Sequence, residues 1–279
     1  MIVGMNFFGR LQHAWQHQQS MLCVGLDPDP ARFPSPLKSL LQRDPLAAIE
    51  AFCIGIMEAT AAYACAFKPQ IAYFASSGAE RVLEKLAILC RDRYPHHVWV
   101  LDAKRGDIGS TAEHYAKEAY DRYLADAVTV NPYMGTDSLA PYLQYEGRGI
   151  FVLCRTSNPG GDDFQMLDVH GHPLYLEVAR QASQRWNQHQ QAGLVIGATY
   201  PREIEAVRNI APELPFLIPG IGAQGGDLIA TVKAGRNASG GMLINSSRAI
   251  LYASGQDDWQ DQAAAVARST RDDINAVPN

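Results

Sequence analysis

Eight short apolar runs, a helical pattern after each of them, and a length of 279 residues predict an α/β protein: a closed (β/α)₈ TIM barrel, one domain over residues 1–279. The runs, in order, are "MLCVGLD" (21–27), "CAFKPQ" (65–70), "VWVLDAK" (98–104), "AVTVNPY" (127–133), "GIFVLCR" (149–155), "GLVIGAT" (193–199), "PFLIPG" (215–220) and "GMLINSS" (241–247). Strands this apolar are buried on both faces, as in a parallel sheet covered by helices. Eight units in about 250 residues fit a closed barrel better than an open doubly wound sheet. The helices carry start signals: Ser110 with Glu113 has capping-box spacing, and Pro45, Pro173 and Pro201 suit first-turn positions. No stretch rich in Pro, Gly or Ser is long enough to divide the chain.

Composition narrows the function classes. At 47% hydrophobic and 19% charged residues the chain has enough apolar material for a core, which excludes a disordered protein. A net charge of −5 with no basic run argues against nucleic acid as a partner. The five cysteines, Cys23, Cys53, Cys65, Cys90 and Cys154, show no CxxC spacing and sit mostly in apolar runs, so they read as packing residues in a reducing compartment rather than as zinc ligands. Neither a signal peptide nor an apolar run of membrane-spanning length is present, so a cytoplasmic, membrane-free location is expected.

A barrel keeps its chemistry at the C-terminal ends of its strands. Here those ends supply Asp27, Lys68, Asp102 with Lys104, Asn131, Arg155 to Ser157, Thr199, Gln224 and Arg248. The densest group lies in "LDAKRGDIGST" (101–111), where strand alternation turns Asp102 and Lys104 to one side and Arg105 to the other, leaving Asp107 in the turn before a helix. A buried ion pair bracing the strand end would explain the pair alone. Lys68 at the end of the neighbouring strand makes it a network of two carboxylates and two ammonium groups, suited to charge developing on a substrate. "GIGAQG" (220–225) matches a dinucleotide fingerprint only formally, because it lies late in the chain and lacks the following acidic residue. It reads better as a phosphate grip after strand seven, with Arg248 after strand eight as counter-ion. "HGH" (170–172) lacks further metal ligands at useful spacing, so His170 and His172 read as solvated loop residues. "SQRWNQHQQ" (183–191) reads as an exposed helix face, and 157–172 as a long loop without structure that could serve as a lid.

Taken together, "VGLDPDP" (24–30), "FKPQIAYF" (67–74), "DAKRGDIGST" (102–111), "VNPYMGTDS" (130–138), "TSNPG" (156–160), "GATYP" (197–201), "PGIGAQGGD" (219–227) and "SSRAI" (246–250) resemble the orotidine 5′-phosphate decarboxylase family, in its longer bacterial branch. Departures are modest: Ala75 stands where relatives commonly have an acidic residue, and Asn245 to Ser247 replace a glycine before the phosphate arginine. The resemblance implies decarboxylation of orotidine 5′-phosphate by a cofactor-free, metal-free homodimer whose active sites are shared. It further implies that Lys104 donates a proton to C6, that Asp102 faces the departing carboxylate, and that Asp107 enters from the partner subunit beside Lys68. Asp27 and Lys68 would hold ribose hydroxyls with the partner's Thr111, Ser157 would contact the pyrimidine, Pro219 would belong to the same nucleotide site, Gln224 and Arg248 would close over the phosphate, and Ile108 would line a pocket for CO₂. Two rivals stay open: a metal-dependent decarboxylase or aldolase on a sugar phosphate, which shares the DxKxxD pattern, and a non-catalytic nucleotide-binding module, which would have no use for Lys104.

Overall fold

The structure is a computed structural model describing residues 4–221 and 227–278. Its eight main strands are β1 (Leu22–Leu26), β2 (Ala66–Pro69), β3 (Val98–Arg105), β4 (Ala127–Val130), β5 (Gly149–Arg155), β6 (Ala192–Ile196), β7 (Phe216–Ile218) and β8 (Met242–Ser246). All pair in parallel, each with its sequence neighbours, and the ring closes through β8 on β1, where Leu22 lies opposite Ile244. Six of the strands fall within their apolar runs, and the other two overrun theirs by one residue, β3 at Arg105 and β6 at Ala192. Val, Ile, Leu and Phe fill them because both faces are dry: one side packs inside the barrel and the other against the helices.

The covering helices are α2 (Pro45–Thr60), α3 (Glu80–Arg93), α4 (Gly109–Lys117), α5 (Thr136–Leu143), α6 (Leu174–Gln181), α7 (Pro201–Ile210), α8 (Leu228–Gly235) and α9 (Trp259–Ala276), one after each strand. A preceding helix, α1 (Phe7–Gln18), is capped by the Asn6 side chain, which accepts from the Gly9 N–H. It seals the N-terminal end of the barrel. Phe7 lies so close to Gly149 that a Cβ there would sit 2.1 Å from the ring, and it meets Phe151 edge to face. Arg10 of the same helix is buried against Asp126 and the carbonyls of Pro95 and His97. Closing one end leaves the C-terminal end of the strands as the open mouth. No helix among the described residues is long and apolar enough to cross a membrane.

Local details depart from the sequence expectations in four places. Helix α4 begins at Gly109, whose φ of +55° starts the turn, and Ile108 stands at its N-cap without a side-chain bond; Ser110 is therefore inside the helix and forms no capping box with Glu113. Pro45 and Pro201 do occupy first helical positions, whereas Pro173 precedes α6 with extended backbone. Segment 157–172 is not structureless: a 3₁₀ turn (Pro159–Gly161), a short helix (Asp162–Gln165) and a small hairpin pairing Val169 with His172 fill it. In 183–191, helical structure stops at Trp186, whose buried indole N–H donates to Thr136 Oγ1, and Gln191 is buried with its amide on the Tyr145 and Arg148 carbonyls. An apolar or amide group within a polar stretch was the signal passed over.

Candidate active site

Asp102 organises the mouth of the barrel. One carboxylate oxygen accepts from Lys68 Nζ at 2.9 Å, and the other from Lys104 Nζ at 2.6 Å and Thr129 Oγ1 at 2.9 Å. The side chains of Lys68 and Asp102 are 5% and 9% exposed and that of Lys104 is 45% exposed, so a buried pair forms the floor and the second ammonium reaches into the open mouth. Burial opposes charge on both floor residues. For Asp102 that penalty is outweighed by Lys68 and Lys104, which hold its carboxyl well below the ordinary range. For Lys68 it is outweighed by Asp102 and Asp27, which hold the ammonium above the usual lysine value. Both stay ionised at neutral pH.

The backbone that presents Lys104 is not a regular strand. Leu101 pairs with Val128 and Arg105 with Val130, so three residues of β3 stand opposite the single Thr129, and Lys104 takes a left-handed φ of +48°. Simple alternation therefore brings Asp102 and Lys104 together in the sequence reading for a reason the chain does not use. Arg105 does face away: it pairs with Glu118 at 2.9 Å and lies over the Tyr115 ring.

Asp27, Lys68, Asp102, Pro219, Asn245 and Arg248 line one cavity of about 280 Å³ at this mouth. One oxygen each of Asp27, Asn245 and Thr199 is buried without a hydrogen-bond partner among the described residues. Tyr252 fixes the Asp27 backbone by donating to its carbonyl at 2.9 Å and accepting from the Asp29 N–H at 2.7 Å. Ser157 lies at the end of β5 against Gly197, where a Cβ would be 2.7 Å from the serine Cβ. Asp107 is half-buried in the turn after β3, where it accepts from the Ile108 N–H, and Ile108 and Thr111 are exposed at the start of α4; none of the three lines the cavity of its own chain. Gln224 and the glycine loop 222–226 lie outside the described residues.

Arg155, counted with the mouth residues from its place in the sequence, serves another purpose. It turns outward, its side chain 2% exposed, and binds Asp162 and Glu203, each at 2.6 Å, while lying over the Tyr200 ring. It ties segment 157–172 to α7. His170 is at the hairpin turn with a left-handed φ, and His172 is exposed. Among the described residues no cluster of His, Cys, Asp and Glu is arranged to hold a metal. A larger cavity, about 640 Å³, opens at the other end of the barrel between α1 and the turns preceding β6 to β8. Its lining is mostly amide and apolar, with Glu213 as the sole charged side chain among the described residues, so size does not mark the site here. Thr129 escaped the sequence reading because a lone threonine in a strand carries no signal of its own.

A closed barrel with a carboxylate clamped between two lysines at its catalytic end defines an enzyme of the barrel class acting on an anionic substrate. Residues 20–260 match the family described as orotidine 5′-phosphate decarboxylase / HUMPS. The chain is 60% identical over 98% of its length to the full length of a protein from Bordetella avium named orotidine 5′-phosphate decarboxylase. Among solved structures it superposes on Leishmania donovani OMP decarboxylase with a TM-score of 0.84 at 39% identity, covering 98% of each chain. It also superposes on Leishmania donovani UMP synthase with a TM-score of 0.86 at 41% identity, where it spans 56% of that longer chain. The chain belongs to the orotidine 5′-phosphate decarboxylase / HUMPS family, and it is a decarboxylase.

Proposed function

We propose that the chain converts orotidine 5′-phosphate to uridine 5′-phosphate and CO₂, the last step of de novo pyrimidine nucleotide synthesis, as one barrel domain over residues 1–279 working in the cytoplasm as a homodimer. The observation that carries the reading is Asp102, bridged by Lys68 and Lys104 in the wall of a cavity that Arg248 also lines. The names of the curated relatives, matched along their whole length, supply the substrate.

Loss of CO₂ from C6 leaves an electron pair in an sp² orbital outside the ring π-system, so the ring offers no ordinary electron sink. Stabilisation has to come from fixed charge. The Lys104 ammonium supplies it beside C6 and then delivers the proton that completes the product. Asp102, ionised at neutral pH, faces the substrate carboxylate and disfavours it in the ground state, an effect relieved as CO₂ departs. Lys68 neutralises Asp102 from below and, with Asp27, holds the ribose hydroxyls; the buried Asp27 oxygen accepts one of them. Arg248 and Gln224 hold the phosphate dianion, Ser157 the pyrimidine, and Pro219 packs in the same nucleotide site. Binding energy from the remote phosphate helps close a water-poor site in which these charges act strongly.

Asp107 and Thr111 complete the site of the partner subunit, with Ile108 beside the space that receives CO₂. Exposed apolar side chains near this turn and after β4, Ile108, Tyr133 and Met134, give that face the character of a subunit contact, and Tyr133 is 81% exposed in the single chain. The test is to incubate the purified protein with orotidine 5′-phosphate, with and without a chelator, and follow loss of substrate absorbance. Turnover in both supports the reading. No turnover in either overturns it, and turnover abolished only by the chelator transfers the site to the metal-dependent rival.

A further inference from the structure

We infer that Thr129 is a positioning residue for this reaction: its single hydroxyl holds the Lys104 backbone in its left-handed conformation and at the same time orients Asp102, so that ammonium and carboxylate are presented as one unit. The inference rests on the reading of Lys104 and Asp102 given above and concerns how the chain keeps them in place.

A threonine hydroxyl has one donor and two acceptor positions. At Thr129 all three are used within the motif. Oγ1 accepts from the backbone N–H of Ala103 at 3.0 Å and of Lys104 at 2.9 Å. With both acceptor positions filled by N–H groups, its proton goes to the remaining neighbour, Asp102 Oδ1, at 2.9 Å. That oxygen is the one that also accepts from Lys104 Nζ at 2.6 Å. The hydroxyl therefore touches Lys104 at its root and, through Asp102, at its tip.

The fold creates the need for this atom. Where β3 carries three residues opposite one residue of β4, the ordinary ladder cannot pair the N–H groups of the bulged stretch, and Thr129 is the residue opposite. A left-handed φ in a lysine is disfavoured relative to extended backbone, so it persists only when its surroundings hold it. Thr129 is buried, which leaves water a poor substitute for the hydroxyl. Valine has the same shape but none of the three bonds; serine keeps all three.

The experiment compares Thr129→Val and Thr129→Ser, with Lys104→Ala as reference, in purified enzyme. Thr129→Val should lower kcat by roughly 10- to 100-fold with little change in KM, since misplacement of a catalytic group by a fraction of an ångström acts on the transition state rather than on nucleotide binding. Thr129→Ser should stay within roughly threefold of wild type. Hydrogen exchange over residues 102–105 should quicken in the valine variant and not in the serine one, a change that a merely space-filling threonine would not produce. If Thr129→Val does not fold, Thr129→Ala carries the same comparison with serine. Wild-type kcat in a folded Thr129→Val or Thr129→Ala enzyme, while Lys104→Ala is inactive, overturns the role of Thr129 alone; an active Lys104→Ala enzyme instead removes the reading of the site on which it rests.

Discussion

At the scale of single residues, the cavity and the opposite end of the barrel make separable predictions. Arg248 lines the cavity with Asp27 and Lys68. In its proposed role of phosphate counter-ion it has nothing to bind in a substrate without that group, so Arg248→Ala should impair turnover of orotidine 5′-phosphate by roughly 100-fold or more and leave that of orotidine nearly unchanged. Equal losses on the two substrates would make Arg248 structural. His97, buried at the sealed end, donates through Nε2 to the Ala61 carbonyl and stacks on Phe67. Burial pushes its pKa down from 6.5 to about 4. Below pH 6.5 the unfolded chain therefore takes up a proton that the folded chain refuses, so stability is full above that pH, declines as pH falls toward 4 and levels off beneath it. The loss attributable to His97 is about 3 kcal/mol. Urea unfolding from pH 8 to pH 4 should show this slope, and His97→Asn should flatten it; an unchanged slope in that variant would assign the effect elsewhere, with His13 and His96 next in line because burial and their neighbouring histidines shift them in the same direction.

At the scale of elements, the strands were legible because burial on both faces leaves an uninterrupted apolar run, and each of the eight coincides with the run that predicted it to within one residue. The clustering of Asp102, Lys104 and Lys68 was legible for a related reason: strand ends of a barrel converge whatever the side chains. What stayed hidden depends on backbone angles or on partners distant in sequence. The start of α4 is set by the left-handed Gly109 rather than by Ser110, the Lys104 conformation by Thr129, and the order within 157–172 by Arg155, which reaches Asp162 in the segment and Glu203 on α7. Arg155→Met would leave Glu203 half-dry without its partner and free the segment, at a cost of about 3 kcal/mol. Limited proteolysis should then cut within 157–172 in the variant under conditions that spare the wild type. Equal resistance would show that the hairpin and short helix hold the segment without the arginine.

At the scale of the whole molecule, the proposed assignment of Asp107 to the neighbouring subunit has an arithmetic consequence. Asp102→Asn and Asp107→Asn homodimers should each be nearly inactive, because every site lacks one carboxylate. In a mixed dimer one site carries both lesions and the other carries none, so random exchange of equal amounts should restore roughly a quarter of wild-type sites. Exchange verified with a tagged chain, but without recovered activity, would return Asp107 to its own subunit. The closing pair of the ring, Leu22 on Ile244, carries a different implication. Lys68, Asp102 and Lys104 all belong to the first 105 residues, yet the barrel they open into is complete only when β8, residues 242 to 246, has docked beside β1. During synthesis on the ribosome, β1 must wait with an unpaired edge while well over half of the chain is still being made. The nascent polypeptide thus carries its reactive charges long before it has a container for them, and the interval before closure is when its unpaired edge is most exposed to mispairing.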